Sequence, residues 1–249
     1  MALIKTSNPA LNINSFQVEH AASGEAMTLP GTVNKTGILL VCTMATAIWS
    51  WSQFFHNPSN DTVLPLVAIG AIGGFIIALV TIFKKEWSPI TAPIYALLEG
   101  LALGGISAMF ELRRPGIAIQ AVGLTFGTLF ILLLAYRSGV IKVTEKFKLG
   151  VVAATGGIAV FYLAQFVLGF FGVRFAAING SGLLGIGFSV IVVIVAALNL
   201  VLDFDFIESG VNAGAPKYME WYGAFGLMVT LIWLYLEILR LLSKLNSRR

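Results

Sequence analysis

Asp203, Asp205, Glu237 and Glu99 are carboxylates set in stretches that otherwise read as lipid-soluble. Asp203 and Asp205 close the apolar run 191–202. Glu237 lies within the second apolar run, between Leu236 and Ile238. An ionised side chain at bilayer depth costs roughly 2.5–3.5 kcal/mol on insertion scales, so it tends to face a cavity or a partner. Two carboxylates brought close in a low-dielectric site share a proton rather than both ionise. Asp203 with Glu237 would then be a pH-controlled latch between two helices. Deprotonated, the same oxygens suit a hard cation such as Ca²⁺. The spacing fits a second reading equally well: Asp203 and Asp205 mark the interfacial end of their helix and never meet Glu237.

Other polar residues could join this chemistry. Glu99 sits mid-run, flanked by Leu98 and Gly100, with no basic residue at i±3 or i±4. It is expected to line a cavity or pore, against the plainer role of a neutral acid bonding a neighbouring helix. Asn199 precedes Asp203 by four residues and so shares its helix face. Asn199 and Gln165 suit interhelical hydrogen bonds, and Asn199 could also support the acid below it and an ion path. Arg240, three residues after Glu237, could pair with that acid or extend to the interface. Glu208 and Glu220 flank a turn and are expected to be solvated. His20 and His56 are isolated, and no His/Cys cluster suggests a transition metal. There is no phosphate-binding or nucleophile motif and no helix-borne histidine base, so an enzyme is not expected. Gly180-Ser-Gly182-Leu-Leu-Gly185-Ile-Gly187 opens an apolar helix with no preceding strand, which excludes a dinucleotide loop.

Of 249 residues, 57% are hydrophobic and 11% charged, against about 25% charged in an ordinary soluble domain. The mean hydropathy is +0.88. A bilayer core takes about 20 apolar residues per helix. Such runs fall at 36–55, 63–83, 90–110, 117–136, 150–173, 181–202 and 219–242. They are continuous rather than alternating, which argues against a barrel. The expected fold is therefore all-α: a polytopic membrane protein with seven transmembrane helices, residues 36–249, after a polar soluble segment, 1–35. That segment lacks the basic start and apolar core of a cleaved leader. Lone Cys42 excludes an internal disulfide. Glycines in runs two, three and four (Gly70, Gly73, Gly74; Gly100, Gly104, Gly105; Gly123, Gly127) have the small-residue spacing of close helix packing. The net charge of +4 reads as a topology signal, not a nucleic-acid footprint. Lys84, Lys85, Arg137, Lys142, Lys146, Lys148 and Lys217 outnumber Arg113, Arg114 and Arg174 in the opposite loops, which puts the N-terminus in the cytoplasm. The basic C-terminal tail, Lys244, Arg248 and Arg249, resists that assignment, and six spans with one re-entrant segment would bring it inside.

Three stretches together resemble the Bax inhibitor-1 (transmembrane Bax-inhibitor-motif) family, in its bacterial branch. Asp203-Phe-Asp205-Phe-Ile207 is similar to the family's Asp-x-x-x-Ile helix end. Leu234-Tyr235-Leu236-Glu237 looks like its Leu-Tyr-Leu-Asp stretch. Thr125-Phe-Gly-Thr128-Leu-Phe is similar to its small-residue and Thr-Phe pattern. The resemblance covers about 36–245. It implies a pH-sensitive calcium leak channel in the plasma membrane, the bacterial inner membrane, with six helices around the seventh. It also implies gating by a carboxylate dyad of helices six and seven, here Asp203 with Glu237, with Asp205 as a competitor for the first position. Ca²⁺ would be the transported ion, and Glu99, Asp205 and Asn199 would line its path. The alternative it implies is an interaction protein that modulates a membrane-bound protease. This chain departs from the pattern in two ways. The second acid is Glu rather than Asp, and the connection is longer, so a dyad requires part of 208–225, such as Met219 to Tyr222, to lie along the interface.

Overall fold

In a computed structural model the described residues, 26–56, 60–173 and 175–247, form helices with short connections. Seven of the helices are long and apolar enough to cross a membrane. They are α1 (Leu29–His56), α2 (Asn60–Phe83), α3 (Ser88–Arg113), α4 (Ile117–Arg137), α5 (Glu145–Phe170), α7 (Leu183–Asn212) and α8 (Met219–Asn246). The short α6 (Ala176–Asn179) lies between α5 and α7. Helix α1 begins at Leu29, earlier than the boundary near 36 that composition suggests. His20, Arg174, Arg248, Arg249 and most of the polar opening segment lie outside the described residues.

Within lipid, backbone and side-chain polar groups have to be satisfied by the protein itself. The buried face of α1 shows how. Thr32, Thr36 and Thr43 each donate a hydroxyl to the carbonyl four residues earlier, at 3.0 Å. With their hydroxyls folded onto their own helix, these residues present a small, smooth surface to a neighbour. Helix α3 fits against it. A Cβ added at Gly100 or Gly104 would run into the backbone oxygen of Thr43 or Ala47. The other side of α3 meets α2, where a Cβ at Gly70 would lie 2.6 Å from the Leu98 carbonyl. Between apolar helices in lipid this close packing replaces the hydrophobic drive. The glycines of α4 differ from expectation: Gly123 and Gly127 face open space and pack against nothing.

The helix most enclosed is α8, with 61% of its apolar window buried against 11% for α5. It packs on α1, α3, α4 and α7. A full surround of six is not formed, because α2 stays outside against α1 and α3, and α5 rests on α7. The turn joining α7 to α8 is tight: Gly214 takes a left-handed conformation (φ +67°) and Pro216 follows. Helices α1 and α8 start at the same end of the bundle, since Glu220 in the first turn of α8 accepts from the Thr28 backbone N–H at 2.9 Å. The C-terminal end of α8 therefore lies at the opposite surface, as seven crossings require; the re-entrant six-span arrangement is not what forms.

Gly104→Ala is expected to cost about 1–3 kcal/mol through overpacking. Gly127→Ala should change stability by no more than about 0.5 kcal/mol. Thermal unfolding in detergent reads the difference.

Candidate functional site: a polar seam along α5, α7 and α8

Lys148, Thr155 and Tyr162 recur at seven-residue intervals and so fall on one stripe of α5. Each meets a polar group on a facing helix. At the end shared by the starts of α1 and α8, Lys148 Nζ lies 2.9 Å from Asp205 Oδ2 and 3.5 Å from Glu145 Oε1. About a turn and a half further in, Asn199 Nδ2 donates to Thr155 Oγ1 at 2.8 Å and to its own helix at the Val195 carbonyl, also 2.8 Å. Next comes Glu237 of α8, whose Oε1 accepts from the Tyr162 hydroxyl at 3.0 Å and from Arg240 Nη1 at 2.8 Å. The Arg240 guanidinium also stacks on the Tyr162 ring, 5.4 Å from its centroid. Beyond this, Lys244 Nζ donates to the carbonyls of Ile178 (2.8 Å) and Gly185 (3.0 Å) and to Ser189 Oγ (2.9 Å). From Lys148 to Tyr162 the stripe covers about 21 Å, most of a bilayer core of about 30 Å.

Asp203 and Glu237 are both buried, at 0% and 2% exposure, but they do not form a dyad. The α7–α8 register is fixed at two places. Gly223 faces Ile207, whose Cγ1 would lie 3.2 Å from an added Cβ. Lys244 faces Gly185 and Ser189. Asp203 is therefore level with about residue 227 of α8, and Glu237 with about residue 193 of α7. At 1.5 Å per residue the two carboxylates stand about 15 Å apart along the bundle. A shared proton or a shared Ca²⁺ needs far closer oxygens, so the dyad and the two-acid calcium site expected from sequence are corrected. The physical reason is the continuity of α8, which is helical from Met219 onward. No stretch near Met219–Tyr222 lies aside to absorb the longer connection.

The remaining candidates divide. Arg240 pairs with Glu237, as one of its two readings expected. Asp205 and Asn199 join the seam. Gln165 donates to Asn179 Oδ1 at 3.4 Å near the far end. Glu99 belongs elsewhere: its carboxylate lies at the α2–α3 contact, where a Cβ on Gly74 would sit 2.6 Å from Oε1. Glu208 accepts from the Tyr136 hydroxyl. Glu220 is the clearest departure among the turn acids. It is fully buried rather than solvated, accepting from Thr28 Oγ1 at 2.8 Å and paired with Lys35 Nζ at 2.6 Å. Sequence reasoning also missed Lys148, Thr155, Tyr162 and Lys244. The seven-residue stripe on α5 was the available signal, hidden because only one of its three residues carries charge. Among the described residues no three His, Cys, Asp or Glu side chains cluster as a metal site would need.

Seven helices long and apolar enough to span a membrane, the last of them the most enclosed, define a multi-pass membrane protein. The chain belongs to the Bax inhibitor 1 like family, whose model matches residues 8–247. No curated protein matches it.

Cysteine pairs in a Cys42→Ser background test the register. Ile207→Cys with Gly223→Cys should oxidise readily to a disulfide, which needs Cα atoms about 4.4–6.8 Å apart. Asp203→Cys with Glu237→Cys should not. Equal cross-linking of both pairs would contradict the register.

Proposed function

We propose that this protein is a passive cation leak and that the α5–α7–α8 seam is its path. The observation that carries this reading is the continuity of the polar stripe across most of the membrane, on a helix that packs loosely. Ionisable residues at membrane depth commonly mark ion pathways and proton relays. The seam offers oxygen ligands in succession: the Asp205 carboxylate, the Asn199 amide oxygen, the Thr155 and Tyr162 hydroxyls and the Glu237 carboxylate. Glu237 Oε2 is buried without a hydrogen-bond donor among the described residues, which leaves acceptor capacity at that level. Oxygen-only ligands at variable spacing suit Ca²⁺, a flexible hard cation, over transition metals.

In this mechanism α5 is the moving wall. It is held by the Lys148–Asp205 ion pair at one end and by Tyr162 with Glu237 at the other. Separation of α5 from α7 widens the seam, and cations enter beside Asp205. The carboxylates of Asp205 and Glu237 supply the negative charge that attracts a cation into the seam. The membrane is the plasma membrane. The end bearing Lys35, Lys84, Lys85, Lys148 and Lys217 faces the cytoplasm, in accord with the positive-inside rule.

Purified protein in liposomes should pass Ca²⁺ down its gradient. Asn199→Leu and Glu237→Gln should each cut the rate about tenfold, equivalent to about 1.4 kcal/mol of barrier. Glu99→Gln should leave it unchanged. A folded native chain that passes no cation would overturn the reading.

A further inference from the structure

A second feature lies on the other side of α8. Helices α1 and α4 make almost no contact with each other. The gap between them is a crevice of about 510 Å³, floored by α3 and α8 and bounded by Leu40, Ala47, Trp51, Ile119, Phe126 and Met228. That volume is within the usual range of about 300–1,000 Å³ for ligand pockets.

The walls are chemically closed to polar ligands. Four hydroxyls reach the lining, and each is already bonded within the protein. Thr43 donates to the Leu39 carbonyl at 3.0 Å and Thr125 to the Ala121 carbonyl at 2.8 Å. Ser107 and Tyr235 bond each other at 2.6 Å. What remains is hydrocarbon surface.

The crevice also has a direction. On α1 it runs from Trp51, near the aromatic end of the helix, down to Leu40, a depth of about 16 Å at 1.5 Å per residue. Half of a bilayer core of about 30 Å is about 15 Å. At the shallow end lies the α3–α4 connection, just before Ala118, with Arg113 and Arg114 both exposed. Glu111, at the end of α3, is turned into the fold. Its oxygens accept from the N–H groups of Gly116 (2.5 Å) and Ala118 (3.1 Å) and so cap the start of α4. The two arginines are exposed at this level, with Arg114 Nη2 3.5 Å from Ser247 Oγ at the end of α8.

We propose that this crevice is a binding site for one anionic phospholipid of the adjoining leaflet. An acyl chain lies between α1 and α4, and the phosphate pairs with Arg113 and Arg114. Three features select this occupant: a depth of one leaflet, walls without a spare hydrogen-bonding group, and positive charge at the mouth only. Arginine suits phosphate through its forked donors. The proposal does not depend on ion conduction.

The test is native mass spectrometry of protein reconstituted with phosphatidylglycerol and phosphatidylcholine in equal parts and then extracted. The native chain should retain one phosphatidylglycerol in clear excess over phosphatidylcholine. Ile119→Trp, at a position that is 72% exposed and so tolerant of a large side chain, should abolish retention by filling the crevice. Val122→Trp is the second filler, should the first disturb folding. Arg113→Gln with Arg114→Gln should keep a bound lipid but bring the two headgroups to parity. Ile131→Trp, on the outer face of α4, should match the native chain. Retention that survives both crevice fillers, or a native chain with no headgroup preference, would overturn the proposal.

Discussion

Helix α8 is held at both ends by buried charges, and the place of every other acid follows from where those ends fix it. Glu220 ties its first turn to Thr28 and Lys35 of the opening segment and α1. Lys244 ties its last turns to α6 and the start of α7. A buried carboxylate or ammonium stripped of these partners would be strongly destabilising. The helix is therefore neither free to slide nor free to break near Met219. Its register sets Glu237 beside Tyr162 and separates it from Asp203 by about ten residues, or about 15 Å.

The same constraint divides the bundle into a tight half and a loose half. Helices α1, α2 and α3 approach until glycine is the only residue that fits at Gly70, Gly100 and Gly104. Helix α5 has no comparable contact: a Cβ at Gly150, Gly156, Gly157 or Gly169 would meet nothing. It is attached to the rest by hydrogen bonds, one ion pair and a small apolar cluster in which Ile158 meets Val192 and Val195, and only 11% of its apolar window is buried, the smallest share of the seven. Hydrogen bonds between membrane helices contribute about 0.6 kcal/mol on average, so α5 is the helix most easily displaced. Under the proposed function, the polar stripe on this weakly held helix is the path and its displacement the opening.

Much of this was legible in the sequence. The seven apolar runs give the spans, because lipid admits only helices at that length and continuity. The importance of the carboxylates was legible too, since charge in an apolar run is costly. Which carboxylates meet was not. That depends on whether α8 runs unbroken from Met219, a tertiary matter that a motif such as Leu234-Tyr235-Leu236-Glu237 does not encode. Glu220 reads as solvated because turn acids usually are; its burial comes from the opening segment pairing with the α7–α8 turn, where the Met27 N–H donates to the Ala215 carbonyl at 2.7 Å. Gly123 and Gly127 have the same spacing as the glycines of α3, yet only those of α3 have a backbone opposite them.

The central claim is that the seam carries water and ions, and accessibility measures it most directly. In a Cys42→Ser chain reconstituted in liposomes, Thr155→Cys lies at the middle of the seam and Val160→Cys on the outer face of α5, 68% exposed. The account predicts that a charged, membrane-impermeant thiol reagent modifies Thr155→Cys and spares Val160→Cys. If Thr155→Cys stays unmodified under conditions that label a cysteine placed in the α4–α5 loop, the seam is dry and the polar stripe only holds the helices together.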